Sequence, residues 1–252
     1  MTEPPRCIES TSVSAAWVEA AAAIAGAPAR EAFHFHVRML EPLPELAPVR
    51  ALADALLETL GYRAIETVRN TIFPAEWAED VPDPDELSRD YLEHYADIRA
   101  LDEANRRGTY FGRIVAQPRN DGSVGNQLVG TIDKLRSASG GSQHYKCRYE
   151  INIYNEHKDA NVTRGFPCMT HLAYQADGEE LHCLATYRNH DLVEKSYGNW
   201  LALAELQQYV AGASGFVPGE LSVLAGHAYI DLSGRRLDVL RQTLARMREQ
   251  VA

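Results

Sequence analysis

The chain has 252 residues, 45% hydrophobic and 24% charged, with a formal net charge of −10. This is the composition of an ordinary globular protein with ample material for a core, and its acidity argues against a general nucleic-acid binder, whose phosphate contacts need a basic face. No stretch approaches the roughly 18 uninterrupted apolar residues of a membrane span, and the start, MTEPPRCIES, lacks the basic-then-apolar order of a signal peptide.

Residues 13–25 are Ala-rich and predict a helix. AFHFHVRM then sets Phe33, Phe35, Val37 and Met39 against His34, His36 and Arg38, the period of two of a half-buried strand. PLPELAPVRALADALLETLG reads as an amphipathic helix closed by Gly61. FPAEWAEDVPDPDE reads as a proline-punctuated acidic loop, and ELSRDYLEHYADIRALDEANRRG as one charged helix ending at Gly108. QPRNDGSVGN is turn-rich, NQLVGTIDKLRSA is helical, and YKCRYEINIYN alternates as a strand. Strands over 168–175 and 180–188 flank ADGEE in a hairpin. GNWLALAELQQYVAGASG predicts a helix, PGELSVLAGHAYIDL a strand, and SGRRLDVLRQTLARMREQ a closing helix capped by Ser233. Hairpins mixed with helices, without strict alternation, predict an α+β fold in one domain.

Four cysteines, at 7, 147, 168 and 183, are too few for a disulfide framework in a chain of this length. Reduced thiols and a cytoplasmic location are therefore expected. Cys168 follows Pro167 and has three readings: a small buried residue, a metal ligand or a nucleophile. No C-x₂-C or H-x₃-H spacing supports a metal site, and none is expected. Cys183 alternates with Leu181 and Ala185 on an apolar face, the ordinary setting of an inert thiol.

The order of motifs after Cys168 adds to this reading. FPC is followed by CLATYRNHD, then SYGN opening a helix, then PGELSVLAGHAYI. Over about residues 145–231 this series resembles the thymidylate synthase family. The resemblance implies that family's fold, a large mixed sheet flanked by helices. It also implies a folate-dependent transfer of a methyl or hydroxymethyl group to C5 of a uridine-type nucleotide. Cys168 would add to C6 as a thiolate, and Arg188 would grip the phosphate with Asn189 and Asp191 beside it. Asn199 would pair with the N3–H and O4 edge of uracil, with His227 and Tyr229 near the sugar. Family members are homodimers that share basic residues, for which Arg148 and Lys146, two apart on the expected strand, are candidates. In the register of the resemblance Ala55 stands at the family's catalytic glutamate, which leaves Glu58, one turn later, as the candidate acid or a solvated helix residue. Tyr110 is the candidate proton relay and Trp77 the candidate contact to 5,10-methylenetetrahydrofolate.

Each residue also has a plainer reading. Arg188 reads equally as a surface ion-pair residue, Asn199 as a helix cap, and Lys146 and Arg148 as solvent-facing cations. The family's Gly-Asp-x-His-x-Tyr is replaced by GHAYID, and its C-terminal closing peptide is absent. Two other functions therefore stand beside the first: an enzyme that keeps the nucleophile but acts on another heterocycle without folate, and a non-catalytic nucleotide-binding protein. A pyrimidine nucleotide and a second copy of the chain are the expected partners, with no nucleic-acid polymer and no membrane.

Overall fold

The computed structural model describes residues 4–119, 121–139, 145–163 and 165–251. In chain order the elements begin with β1 (Cys7–Ser10), α1 (Val13–Gly26), β2 (Glu31–Met39), α2 (Ala47–Leu60) and α3 (Ile65–Arg69). They continue through α4 (Ala75–Asp80), α5 (Pro84–Glu93), α6 (Tyr95–Ala100), a 3-10 turn (Glu103–Arg107) and α7 (Tyr110–Val115). Next come β3 (Gln117–Pro118), β4 (Val124–Gly125), α8 (Gln127–Ser139), β5 (Tyr149–Asn152) and α9 (Glu156–Asp159). The chain closes with β6 (Met169–Asp177), β7 (Glu180–Tyr187), β8 (His190–Asp191), α10 (Ser196–Ser214), β9 (Val217–Tyr229) and α11 (Gly234–Val251).

The fold is α+β. Its seven-stranded sheet has the order β1-β2-β9-β7-β6-β5, with β8 also on β9. The sheet is mixed: β1 with β2 and β8 with β9 are parallel, whereas β2 with β9 and β5 with β6 are antiparallel. No helix among the described residues is long and apolar enough to cross a membrane.

Contacts divide the chain into two compact units, one of residues 1–69, 186–204 and 220–252, the other of residues 70–185 and 205–219. In the first, α1 is apolar nearly all round, so it must be covered on several sides. It packs on β1, β2 and α11, with Trp17, Val18, Ala20, Ala21 and Ile24 fully buried. Ser12 caps it, its hydroxyl accepting from the Ala15 amide at 3.3 Å. α2 ends at Gly61 in the left-handed conformation, φ 67°, which favours glycine. On α11, Leu237, Leu240, Leu244 and Met247 form one buried stripe. At about 1.5–3 kcal/mol per buried side chain, that stripe contributes on the order of 6–12 kcal/mol before entropy is counted.

In the second unit, Leu128, Ile132 and Leu135 of α8 face β5, whose Tyr149 and Ile151 are buried. An aromatic cluster joins Phe73, Tyr91, Phe111 and Tyr209, with Trp77 and Tyr95 packed against Tyr91. The hairpin of β6 and β7 turns through Gly178 at φ 62°.

Sequence expectations change in several places. The charged helix expected over 86–108 is broken, because His94 leaves helical geometry (φ −95°, ψ 4°) between α5 and α6. The acidic loop contains α4, the strand expected from Tyr145 starts at Tyr149, and β1 was not foreseen.

Candidate functional site

In the first unit the sheet supplies a polar end to an apolar strand row. Along β9, Leu221, Val223 and Ala225 alternate into the core. His227 and Tyr229 continue the same row but are only half-buried. Phe33 pairs with His227 and Glu31 with Tyr229 across β2, which brings their side chains to the same face. Phe33 is 63% exposed, against the buried position its alternation predicts. The row has run past the core at this point, and His34 beside it has a positive φ of 54°. The Phe33 ring instead stacks on His227 at 5.0 Å, and Tyr229 stacks on the same imidazole at 5.3 Å.

His227 is held at both nitrogens. Nδ1 lies 2.7 Å from Asn189 Oδ1, and Nε2 lies 2.9 Å from Glu31 Oε2. Both facing atoms are oxygens, so each contact is a hydrogen bond where the ring nitrogen facing it carries the hydrogen. Asn189 and Asp191 flank His190, and β8 pairs Asp191 with Tyr229 and His190 with Ala228. Neighbouring strand residues face opposite sides, so Asp191 shares a side with Tyr229 and His190 takes the other.

His190 is 2% exposed and stacks on Tyr187 at 4.0 Å, its plane 7° from parallel. Burial pushes its pKa down to about 3, so the ring is neutral at ordinary pH. Asn199 Nδ2 donates to His190 Nε2 at 3.4 Å, and His190 Nδ1 is buried with no hydrogen-bond partner. Asn199 itself is 5% exposed. It is not the helix cap: α10 begins at Ser196, and the Asn199 amide already donates to Lys195 O at 3.0 Å. Its side chain keeps Oδ1 and a second N–H outside the His190 contact.

Asp191 has a structural task, accepting from the Val193 and Glu194 amides at 2.9 Å each. Burial pushes its carboxyl above the usual range, a shift those two hydrogen bonds oppose. The Arg188 side chain is exposed, and its carbonyl is seated on Gly226, where a Cβ would come within 3.1 Å of the oxygen. Glu58 lies on the exposed outer face of α2, opposite the buried Leu56, Leu57 and Leu60.

In the second unit, Cys168 is half-exposed immediately before β6. The next amide, Met169 N–H, donates to the Tyr110 hydroxyl at 3.4 Å, so the structure brings Tyr110 to the cysteine's backbone. Cys183 is buried and its pKa is pushed up to about 12 by burial, with Tyr174 opposing. Trp77 is half-buried, with its ring against Tyr91 at 5.9 Å and His94 at 5.5 Å. Lys146 and Arg148 precede β5 rather than lying on it, so the strand argument for a shared face does not apply. Lys146 pairs with Asp177 at 2.6 Å, and the Arg148 guanidinium lies over the Tyr145 ring at 5.4 Å.

Three residues of this geometry escaped the sequence reading: Glu31, Phe33 and His190. Only the position of His190, between Asn189 and Asp191, carried a signal; the other two reach His227 through strand pairing. Among the described residues no group of three His, Cys, Asp or Glu side chains is placed to hold a metal ion. No family model matches the chain, and no curated protein matches it.

Proposed function

We propose that the protein carries out one-carbon transfer, leaving a methyl or hydroxymethyl group, at C5 of a uridine-type pyrimidine nucleotide through a Cys168 adduct. The observation that best supports this reading is the buried Asn199 amide. A neutral imidazole engages one of its hydrogens, and a donor and an acceptor remain for the N3–H and O4 edge of uracil. Arg188 and Asn189 take the phosphate and Tyr229 takes the sugar, with the His227 ring, whose two nitrogens are engaged by Asn189 and Glu31, stacked on Tyr229.

The Cys168 thiolate forms a bond to C6, and the C5=C6 electron pair moves toward O4. C5 then attacks a one-carbon electrophile. The C5 proton is lost as the carrier of the one-carbon unit leaves, giving an exocyclic methylene. Addition to it of hydride from a reduced carrier, giving methyl, or of water, giving hydroxymethyl, expels the thiolate and restores the ring. Tyr110, whose hydroxyl accepts from the Met169 amide next to Cys168, is the candidate relay for the C5 proton. The resemblance implies 5,10-methylenetetrahydrofolate as donor, but Trp77, the residue assigned to it, is already packed between Tyr91 and His94. That packing gives no support to a folate seat.

Tritium release from UMP or dUMP labelled at C5, with and without methylenetetrahydrofolate, tests the reading. Release that disappears in Cys168→Ala supports it. Release unchanged in that variant overturns it, and nucleotide binding without any release favours a non-catalytic binding protein. Release that needs no folate favours the heterocycle enzyme without a one-carbon step. Arg188→Ala is expected to weaken nucleotide binding at least about tenfold, the worth of one charge-assisted hydrogen bond. Asn199→Asp is expected to shift preference toward cytosine; an unchanged base preference refutes that role.

A further inference from the structure

A second polar feature lies wholly within the unit of residues 70–185 and 205–219, and the proposed function makes no use of it. It is a cavity of about 210 Å³ whose lining includes Tyr95, Arg99, Arg106, Arg107, Arg113 and Lys158. Five cations around one cavity stand out in a chain whose net charge is −10. Arg113 is accounted for: its guanidinium makes a buried, two-pronged pair with Asp159 at 2.7 and 3.0 Å. It also donates to Ile153 O at 3.2 Å and Arg107 O at 3.3 Å.

The other four cations have no such partner. Among the described residues no carboxylate forms an ion pair with Arg99, Arg106, Arg107 or Lys158. Arg99 donates to the Arg106 carbonyl and lies over the Tyr95 ring at 5.8 Å, which ties α6 to the 3-10 turn that carries Arg106 and Arg107. The wall behind them is tight: a Cβ on Gly108 would come within 2.7 Å of the Tyr95 hydroxyl, and one on Gly112 within 2.4 Å of the same ring. Burial and the charges of Arg113 and Arg99 push the Lys158 pKa down, while Asp159 opposes the shift. The cluster is therefore positive charge held together against its own repulsion, and an anion placed between the cations would relieve it.

We infer that this cavity is a seat for a small, multiply charged oxyanion of the phosphate or pyrophosphate type. Its volume of about 210 Å³ is ample for such a group and lies below the roughly 300–1,000 Å³ usual for pockets that take drug-sized ligands. Its small size also sets it apart from a nucleic-acid surface, which would need an extended basic face.

The test titrates inorganic pyrophosphate by calorimetry at constant ionic strength. Two proteins are compared: Arg188→Ala, and the same chain carrying Arg106→Ala and Arg107→Ala as well. Silencing Arg188 in both arms makes the result independent of the nucleotide proposal. The arginines removed are exposed, so unchanged circular dichroism is expected. The inference predicts saturable binding of one pyrophosphate to Arg188→Ala, weakened at least tenfold when Arg106 and Arg107 are removed, and weakened also by Lys158→Gln. ADP in place of pyrophosphate separates the two sources: equal affinity points to the phosphoryl end of a larger molecule, and a tenfold loss to the free ion. A loss of less than threefold on removing Arg106 and Arg107, or no saturable binding to Arg188→Ala, overturns the inference.

Discussion

Protonating His190 should destabilise the protein, and the size of the effect follows from its surroundings. The ring is buried and stacked on Tyr187, and its Nε2 accepts from Asn199 while Nδ1 has no partner. A second proton would turn Nε2 into a donor facing the Asn199 donor, inside a site that excludes water. Burial accordingly pushes the folded pKa down to about 3 from an ordinary value of 6.5. The unfolded chain then binds the proton that the folded chain refuses, so stability rises with pH across this interval. It is complete above about pH 6.5, falls as the solution is acidified, and levels off below about pH 3. At about pH 4.5, two units below the unfolded value, the loss from this one group is about 2.7 kcal/mol, at roughly 1.36 kcal/mol per unit. Urea unfolding at about pH 7 and about pH 4.5 measures it, with His190→Gln as the control that keeps an acceptor for Asn199 but does not titrate. The variant should lose about 2.7 kcal/mol less than the parent between those conditions. A difference below about 1 kcal/mol would refute the reasoning.

Arg113→Met should cost about 3–5 kcal/mol, because it strands the buried Asp159 carboxylate; a loss below about 1 kcal/mol in a urea titration would contradict the buried pair. Burial raises the Asp159 pKa but Arg113 outweighs it and holds the net value low, so this stability is present above the ordinary carboxylate range and is lost as pH falls below it. At neutral pH Cys183, with its pKa near 12, should react with iodoacetamide on the order of a thousandfold more slowly than an ordinary thiol near pKa 8.5. Peptide mapping should find Cys168 labelled and shielded by UMP or dUMP; faster labelling of Cys183, or no shielding, sinks the assignment of the nucleophile. The resemblance also implies a homodimer, and light scattering that returns a monomer at micromolar concentration would remove Lys146 and Arg148 from the proposed site.

What the sequence determined by itself is what local period and local chemistry control. The strand β9, the closing helix α11, the glycine stop of α2 and the hairpin turn over ADGEE each depend on neighbours a few residues apart, so each was legible. The inert setting of Cys183 was legible for the same reason, since its strand alternation alone buries it. Tertiary structure decided everything that depends on pairing between distant segments. Phe33 kept a core-like pattern yet lies open, because its row runs beyond the core and meets His227 instead. Glu31 reaches the same imidazole only through the register of β2 on β9. Lys146 and Arg148 lost their shared strand face because the ladder starts at Tyr149. The cations of the basic cavity come from α6, the 3-10 turn, α7 and α9, and no one of these segments has a basic period of its own. A strand or helix declares which face it buries, but the chain declares what that face will meet only once long-range pairing has fixed the register.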